Sequence, residues 1–387
     1  RLYQYSSSAS GCGCSASEVL IQSADGSLSL SEINETDRVK RPSRRVDVNG
    51  LETRFDYADG GRVTTESLPN GQVRITTRYR DGRLKSITGS GVIPEFYSYG
   101  IDADGARWTR VSTGSVDSPR YRITRTDLAG RLLAERTPAF GGATQQTTYT
   151  YDAFGRLVSS QATGQAATLY QYNPQGQLTR SGMDVDGDGQ LTLASSDRIT
   201  DSERRYQLIA GDWFEQSSSR VYPTAGSDAA ITVSTSERRL SGFTGQLTAQ
   251  TRHIDSYGRT RIHSTELDRS QQTTTQLTSD SSSSLTARRV HSNGYLLSES
   301  SLTIAEPTLY RYDGLGRLIE TQQPHHSQPS IHSYHAGTRQ LAIQTDAAGH
   351  STQYSYYPQG VLGAGQIAQI TNALGQSSYR AYDALGR

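Results

Sequence analysis

The sequence predicts an all-β protein, built as a repetitive array of antiparallel β-hairpins. Three observations carry that expectation: a short signature recurs along the chain, its glycines return at a steady spacing, and the composition suits half-wet strands. Hydrophobic residues make up 33% of the 387 residues and charged residues 20%. Neither a thick globular core nor a highly charged disordered tail is indicated. Glycine (37) takes up part of the difference, and within the hydrophobic share tyrosine (23) stands against 6 phenylalanines, 2 tryptophans and 1 methionine. A tyrosine ring packs on a strand face while its hydroxyl reaches a polar partner, which suits thin sheets.

The clearest copies of the signature are Tyr151-Asp152-Ala153-Phe154-Gly155-Arg156-Leu157, Tyr312-Asp313-Gly314-Leu315-Gly316-Arg317-Leu318 and Tyr382-Asp383-Ala384-Leu385-Gly386-Arg387. Looser copies lie at Thr126–Leu132, Ile254–Arg259, Tyr79–Leu84, Thr345–His350 and Thr371–Gln376. Self-similarity of this kind is the mark of a repeat architecture. From Gly82 the glycines return at Gly105, Gly130, Gly155 and Gly176, about 21 to 25 residues apart, which is room for two strands and two turns. The aspartate can accept a hydrogen bond from the backbone two residues on, and the glycine can take positive φ. Together they describe a type I turn closed by a left-handed glycine bulge, a common three-residue hairpin connection. Asn173-Pro174-Gln175-Gly176 and Tyr357-Pro358-Gln359-Gly360 support this independently, because proline stands where its fixed φ is favoured.

The flanks alternate as strands do. Thr147-Thr148-Tyr149-Thr150-Tyr151 precedes one turn, and Arg156-Leu157-Val158-Ser159-Ser160 follows it. Tyrosines two apart share a face, so successive hairpins are expected to set Tyr beside Tyr. One hairpin alone is marginal in water, so neighbours must supply the stability. The whole of residues 1–387 reads as a single repeat array that begins and ends inside a repeat, and therefore as a fragment. From about 181 to 250 the signature fades into Ser/Thr-rich alternation, expected to be strands with diverged turns.

Repeated in this way, the Tyr-Asp-x-x-Gly-Arg-Leu signature resembles the YD or Rhs repeat family. That family includes bacterial Rhs and wall-associated polymorphic toxins, the C component of Tc toxin complexes, and animal teneurins. The resemblance implies a curved, spiralling sheet that forms part of a hollow shell. It further implies a non-catalytic scaffold that encloses a toxin polypeptide of the same parent chain. Secretion, or a place at the bacterial cell surface or envelope, goes with that role. The alternative is a cell-surface adhesion or carbohydrate-binding array with surface glycans as partners.

The sharpest candidate site is Asp184-Val185-Asp186-Gly187-Asp188-Gly189-Gln190. Three carboxylates at alternate positions, followed by a glycine, match the first half of an EF-hand-type calcium loop. Asp184, Asp186, Asp188 and Gln190 are the expected ligands. Ser195 stands at the twelfth position and cannot coordinate in bidentate fashion, so Asp197 or Glu203 is expected to compensate. The competing reading is a charged turn rich in Asp and Gly. His325, His326, His332 and His335 cluster among prolines and read as a solvated loop, with metal binding as the alternative. Cys12 and Cys14, two apart, are too close for a disulfide and supply at most half a zinc site. Gly363-Ala364-Gly365-Gln366-Ile367-Ala368 fits the dinucleotide fingerprint by spacing, but the β-repeat context lacks the helix that motif needs.

Other classes are excluded more simply. The net charge of +1 comes from 39 basic and 38 acidic residues spread along the chain, with lysine only at Lys40 and Lys85. That balance does not build a nucleic-acid face, and no apolar run is long enough for a membrane span. Neither lysine lies in a phosphate loop, no histidine precedes glutamate, and no Gly-x-Ser-x-Gly elbow occurs. The repeated arginine has two readings: pairing with its own aspartate and stacking on tyrosine, or lining a glycan surface with it.

Overall fold

A computed structural model describes residues 2–9, 14–23 and 25–387. Among the described residues there are 31 β-strands in one sheet and two single-turn 3₁₀ segments, Asp59–Gly61 and Phe140–Gly142, with no α-helix. The all-β expectation holds. Among the described residues no helix is long and apolar enough to cross a membrane. The described ladders join strands consecutive in sequence and are antiparallel.

The signature turns carry the expected bulge. Strand Thr144–Tyr151 pairs with Leu157–Ala162, and its register shifts between Thr150 and Tyr151. The same shift recurs before Tyr172, Tyr312 and Tyr334. Along Thr144–Tyr151 the two tyrosines are half-buried while Thr148 and Thr150 are exposed. Strand Thr308–Tyr312 alternates in the same way, with Leu309 turned outward at 47% exposure. Tyrosine, not leucine, therefore faces the covered side of these hairpins.

Where the signature fades, strands persist and lengthen. Arg198–Ile209 and Asp212–Val221 pair over ten residues each, from Thr200↔Val221 to Ile209↔Asp212. Their turn is the two-residue Ala210-Gly211, with φ of 50° and 90°. Positive φ at both positions is the type I′ geometry that matches the natural twist of a hairpin. Asn293-Gly294 does the same between Ser292 and Tyr295.

The chain divides into two compact units. One comprises residues 1–98, 110–121 and 308–387, the other 99–109 and 122–307. The first unit holds an aliphatic cluster of Ile21, Leu30, Val48 and Leu315, with Val19 and Leu28 packed against it. Leu315 sits at the tip of a signature turn, so an early and a late run of hairpins meet there turn to turn. The junction continues in step along both runs. The backbone N–H of Arg339 donates to Asn49 Oδ1 (2.9 Å), 290 residues away in sequence. Gly360 N–H donates to the carbonyl of Pro69 (2.8 Å). The Gln359 amide exchanges two bonds with the backbone of Glu52, at 2.9 and 3.2 Å. In the second unit Leu191, Ile199 and Phe214 are the large buried apolar residues among those described.

Candidate functional site

Each intact signature turn is a clamp closed on one carboxylate. Asp152 Oδ1 accepts the backbone N–H groups of Phe154 and Arg156, both at 2.9 Å, and Oδ2 accepts Arg156 Nε at 2.6 Å. Two backbone bonds complete it: Gly155 N–H to Asp152 O and Asp152 N–H to Arg156 O, each 2.9 Å. Gly155 takes φ of 81°, where a side chain is strained. The same pattern recurs at Asp313/Gly316/Arg317 and at Asp383/Gly386/Arg387. Asp37 clamps Arg41 identically, with Lys40 in the glycine's place at φ 66°. Desolvation opposes ionisation of Asp152, yet the hydrogen bonds from Arg156 outweigh it and hold the carboxyl below its usual value.

The arginine also reaches the next repeat. Arg131 lies over the Tyr151 ring at 5.0 Å, Arg156 over Tyr172 at 4.8 Å, and Arg317 over Tyr334 at 4.7 Å. Each of those tyrosines donates its hydroxyl to the backbone carbonyl just after that arginine. Tyr151 reaches Leu132 O at 2.8 Å, Tyr172 reaches Leu157 O at 2.8 Å, and Tyr334 reaches Leu318 O at 2.7 Å. Repeat is thus joined to repeat by an arginine–tyrosine contact, where the sequence suggested rows of adjacent tyrosines. A direct ring pair does occur where glutamine replaces the arginine: Tyr357 and Tyr382 meet edge to face, with centroids 6.0 Å apart. Tyr382 keeps the hydroxyl bond, to Ile367 O at 3.1 Å.

The acidic loop joins Leu178–Asp184 to Arg198–Ile209. One carboxylate oxygen from each of Asp184, Asp186 and Asp188 lies within 4.8 Å of the others. Two oxygens on a calcium ion at about 2.4 Å can be no farther apart than twice that distance, and each pair of the trio meets that condition. Asp184 is buried and accepts Gly187 N–H at 2.8 Å and Gly189 N–H at 2.9 Å. The Asp188 N–H favours ionisation of Asp186, but desolvation and the carboxylates of Asp188, Asp197 and Asp184 outweigh it and raise its pKa. Asp197 closes the loop from the far side, accepting Val185 N–H at 2.9 Å and Thr192 N–H at 3.0 Å with its two oxygens. Gln190 gives its backbone N–H to Asp188 Oδ1 at 2.8 Å.

The remaining candidates fall into ordinary structural roles. His332 lies on strand Ser330–Tyr334, while His335 packs edge to face on Tyr356 at 5.7 Å. These two histidines form no metal-type group among the described residues. Gly363 and Gly365 take φ of 80° and 79° in a turn that leads to a strand. Cys12 lies outside the described residues, and Cys14 is partly exposed.

Residues 127–166, which span two of these turns and the strands between them, match the family model of the RHS repeat. Over those residues the chain is similar to the RHS repeat. No curated protein sequence matches it. Among solved structures, a TcdB2-TccC3 complex aligns over 96% of this chain and 23% of its own, at 11% identity and a TM-score of 0.48. A TcdB2-TccC3-Cdc42 complex aligns over 96% and 22%, at 11% identity and 0.43. A Photorhabdus luminescens Tc holotoxin pore aligns over 97% and 22%, at 12% identity and 0.34. The chain thus spans less than a quarter of the length of these matched chains.

Sequence reasoning found the clamps and missed what one of them does. The residue before the turn glycine is 85% exposed at Phe154, 84% at Tyr257 and 83% at Leu374, but Leu315 is 1% exposed. A signal was present at Gly314. Its φ is not positive, so the turn itself does not require glycine, and other repeats carry Ala153 and Ala384 there. A Cβ at Gly314 would lie 2.4 Å from Ser23 Cβ. Close approach of a second backbone explains that glycine.

Proposed function

We propose that this chain is a length of structural wall, non-catalytic in itself, that encloses a toxic polypeptide of the same longer protein. The turn-to-turn junction in the first unit supports this reading best. Hairpin runs 290 residues apart in sequence meet turn to turn, as expected of a ribbon that folds back on itself to build a wall. The RHS match at 127–166 supports the structural role. Secretion or display at a bacterial envelope accords with it. A glycan-binding surface is less well supported, because the arginines it would use are engaged by their own aspartates and the next tyrosines. Native proteolysis of the longer polypeptide tests the proposal. Cargo carried C-terminal to this array should survive protease that destroys the same cargo expressed alone. Equal digestion of the two would reject enclosure.

We also propose that the 184–197 loop binds calcium. Asp184, Asp186 and Asp188 would hold the ion, with the backbone around Gln190 completing the turn and Asp197 bracing it through Val185 and Thr192. The ion would be structural, neutralising carboxylates that the fold crowds together. Calcium should raise the melting temperature of the intact protein, and the double variant Asp186→Ala, Asp188→Ala should lose that rise. An unchanged melting curve in the parent protein would end the proposal.

A further inference from the structure

We propose that the turn Tyr312–Arg317 is a latch: it fixes the register between the early and late hairpin runs, and the runs can part there while their hairpins stay folded. Three features set this turn apart. Leu315 is the apolar tip residue that inserts beneath another run, among Ile21, Leu30 and Val48. Gly314 provides the close approach, since any Cβ there would strike Ser23, itself a buried residue. The Asp313–Arg317 clamp behind the tip is itself covered, with side chains 9% and 11% exposed, against 43% and 71% for Asp383 and Arg387. The tip is therefore held rigid before it docks.

The rest of the junction has a different character. The bonds of Arg339 to Asn49 and of Gln359 to Glu52 join neutral groups that are open to water. Water can replace such bonds at little net loss. Leu315 has no such substitute, because its withdrawal exposes an aliphatic cluster. Leu51 packs against Gly365 at a second point, but it is only half-buried, so burial is deepest at Leu315 and withdrawal of that turn removes the most protected contact of the junction. The strand ladders on either side are separate hydrogen-bond systems and need not break.

Gly314→Ala isolates the effect, since alanine occupies the same turn position at Ala153 and Ala384. Native-state hydrogen exchange is read on the whole chain. The amides of Glu52, Arg339 and Gly360 report the junction, while those of Gly316 and Asp313 report the local hairpin. Overpacking of this kind should speed exchange at the three junction amides by about tenfold to a hundredfold, with the two hairpin amides unchanged. Gln359→Ala should leave Arg339 and Gly360 near their original rates. Unchanged junction amides in Gly314→Ala would overturn the latch, as would an equal rise at junction and hairpin amides, which would mean that the hairpin itself unfolds.

Discussion

The aspartate–arginine clamp offers a direct test of whether burial or local chemistry sets the worth of an ion pair. Arg317 and Arg259 make the same bond to their own aspartates, Nε to Oδ2 at 2.7 Å in each case. Their surroundings differ. The Arg317 and Asp313 side chains are 11% and 9% exposed, and those of Arg259 and Asp255 are 62% and 28%. Arg317 also donates to Thr338 O at 2.6 Å and lies over the Tyr334 ring. Replacing Arg317 by leucine strands a covered carboxylate, a loss of about 3–5 kcal/mol. Exchange of the Gly316 and Asp313 amides should then speed up by roughly two to nearly four powers of ten. Arg259→Leu leaves Asp255 in contact with water, and the matching amides of Gly258 and Asp255 should barely change. Arg317→Lys should fall between, keeping charge but losing the planar fork. Equal acceleration in the Arg317→Leu and Arg259→Leu proteins would refute the reasoning.

Lys40 takes φ 66° in a clamp's glycine position; relief of about 1–2 kcal/mol of left-handed strain, less the extra freedom of unfolded glycine, should make Lys40→Gly more stable. Gly155→Ala, at φ 81°, should do the reverse, and a denaturation midpoint moving the other way in either variant would contradict this. Acid should weaken the array in a defined window. Hydrogen bonding, chiefly from the Ser23 side chain to Asp25 and the Ser282 side chain to Asp280, lowers both carboxyls from 3.8 to about 2. Their stabilisation is complete above the unfolded value and drains as pH falls through the folded one. Circular dichroism should therefore hold steady down to about pH 4 and decline toward pH 2; a loss beginning above pH 5 would count against it. At the alkaline end, burial raises Tyr57, Tyr334 and Tyr356, and the bond to Asp201 raises Tyr222. These groups favour the fold while neutral and oppose it once ionised, so absorbance titration should show a late tyrosine fraction coupled to unfolding; a single ordinary step would exclude it.

What could be known from residue order was what happens within five residues. Asp152, Gly155 and Arg156 meet their partners inside one turn, so composition and φ preference specify the clamp wherever the motif stands. Alternation placed Tyr149 and Tyr151 on one face for the same local reason. The acidic loop was legible as a set of spaced carboxylates, but Asp197's place as a brace depended on how the chain returned to it. Tertiary structure alone decided which identical-looking turns stay bare and which dock. Leu315 and Leu374 occupy the same motif position, yet one is 1% exposed and the other 83%. The difference comes from Ile21, Leu30 and Val48, residues 267 to 294 positions away, whose approach is governed by the accumulated geometry of every hairpin between. No local pattern encodes that sum.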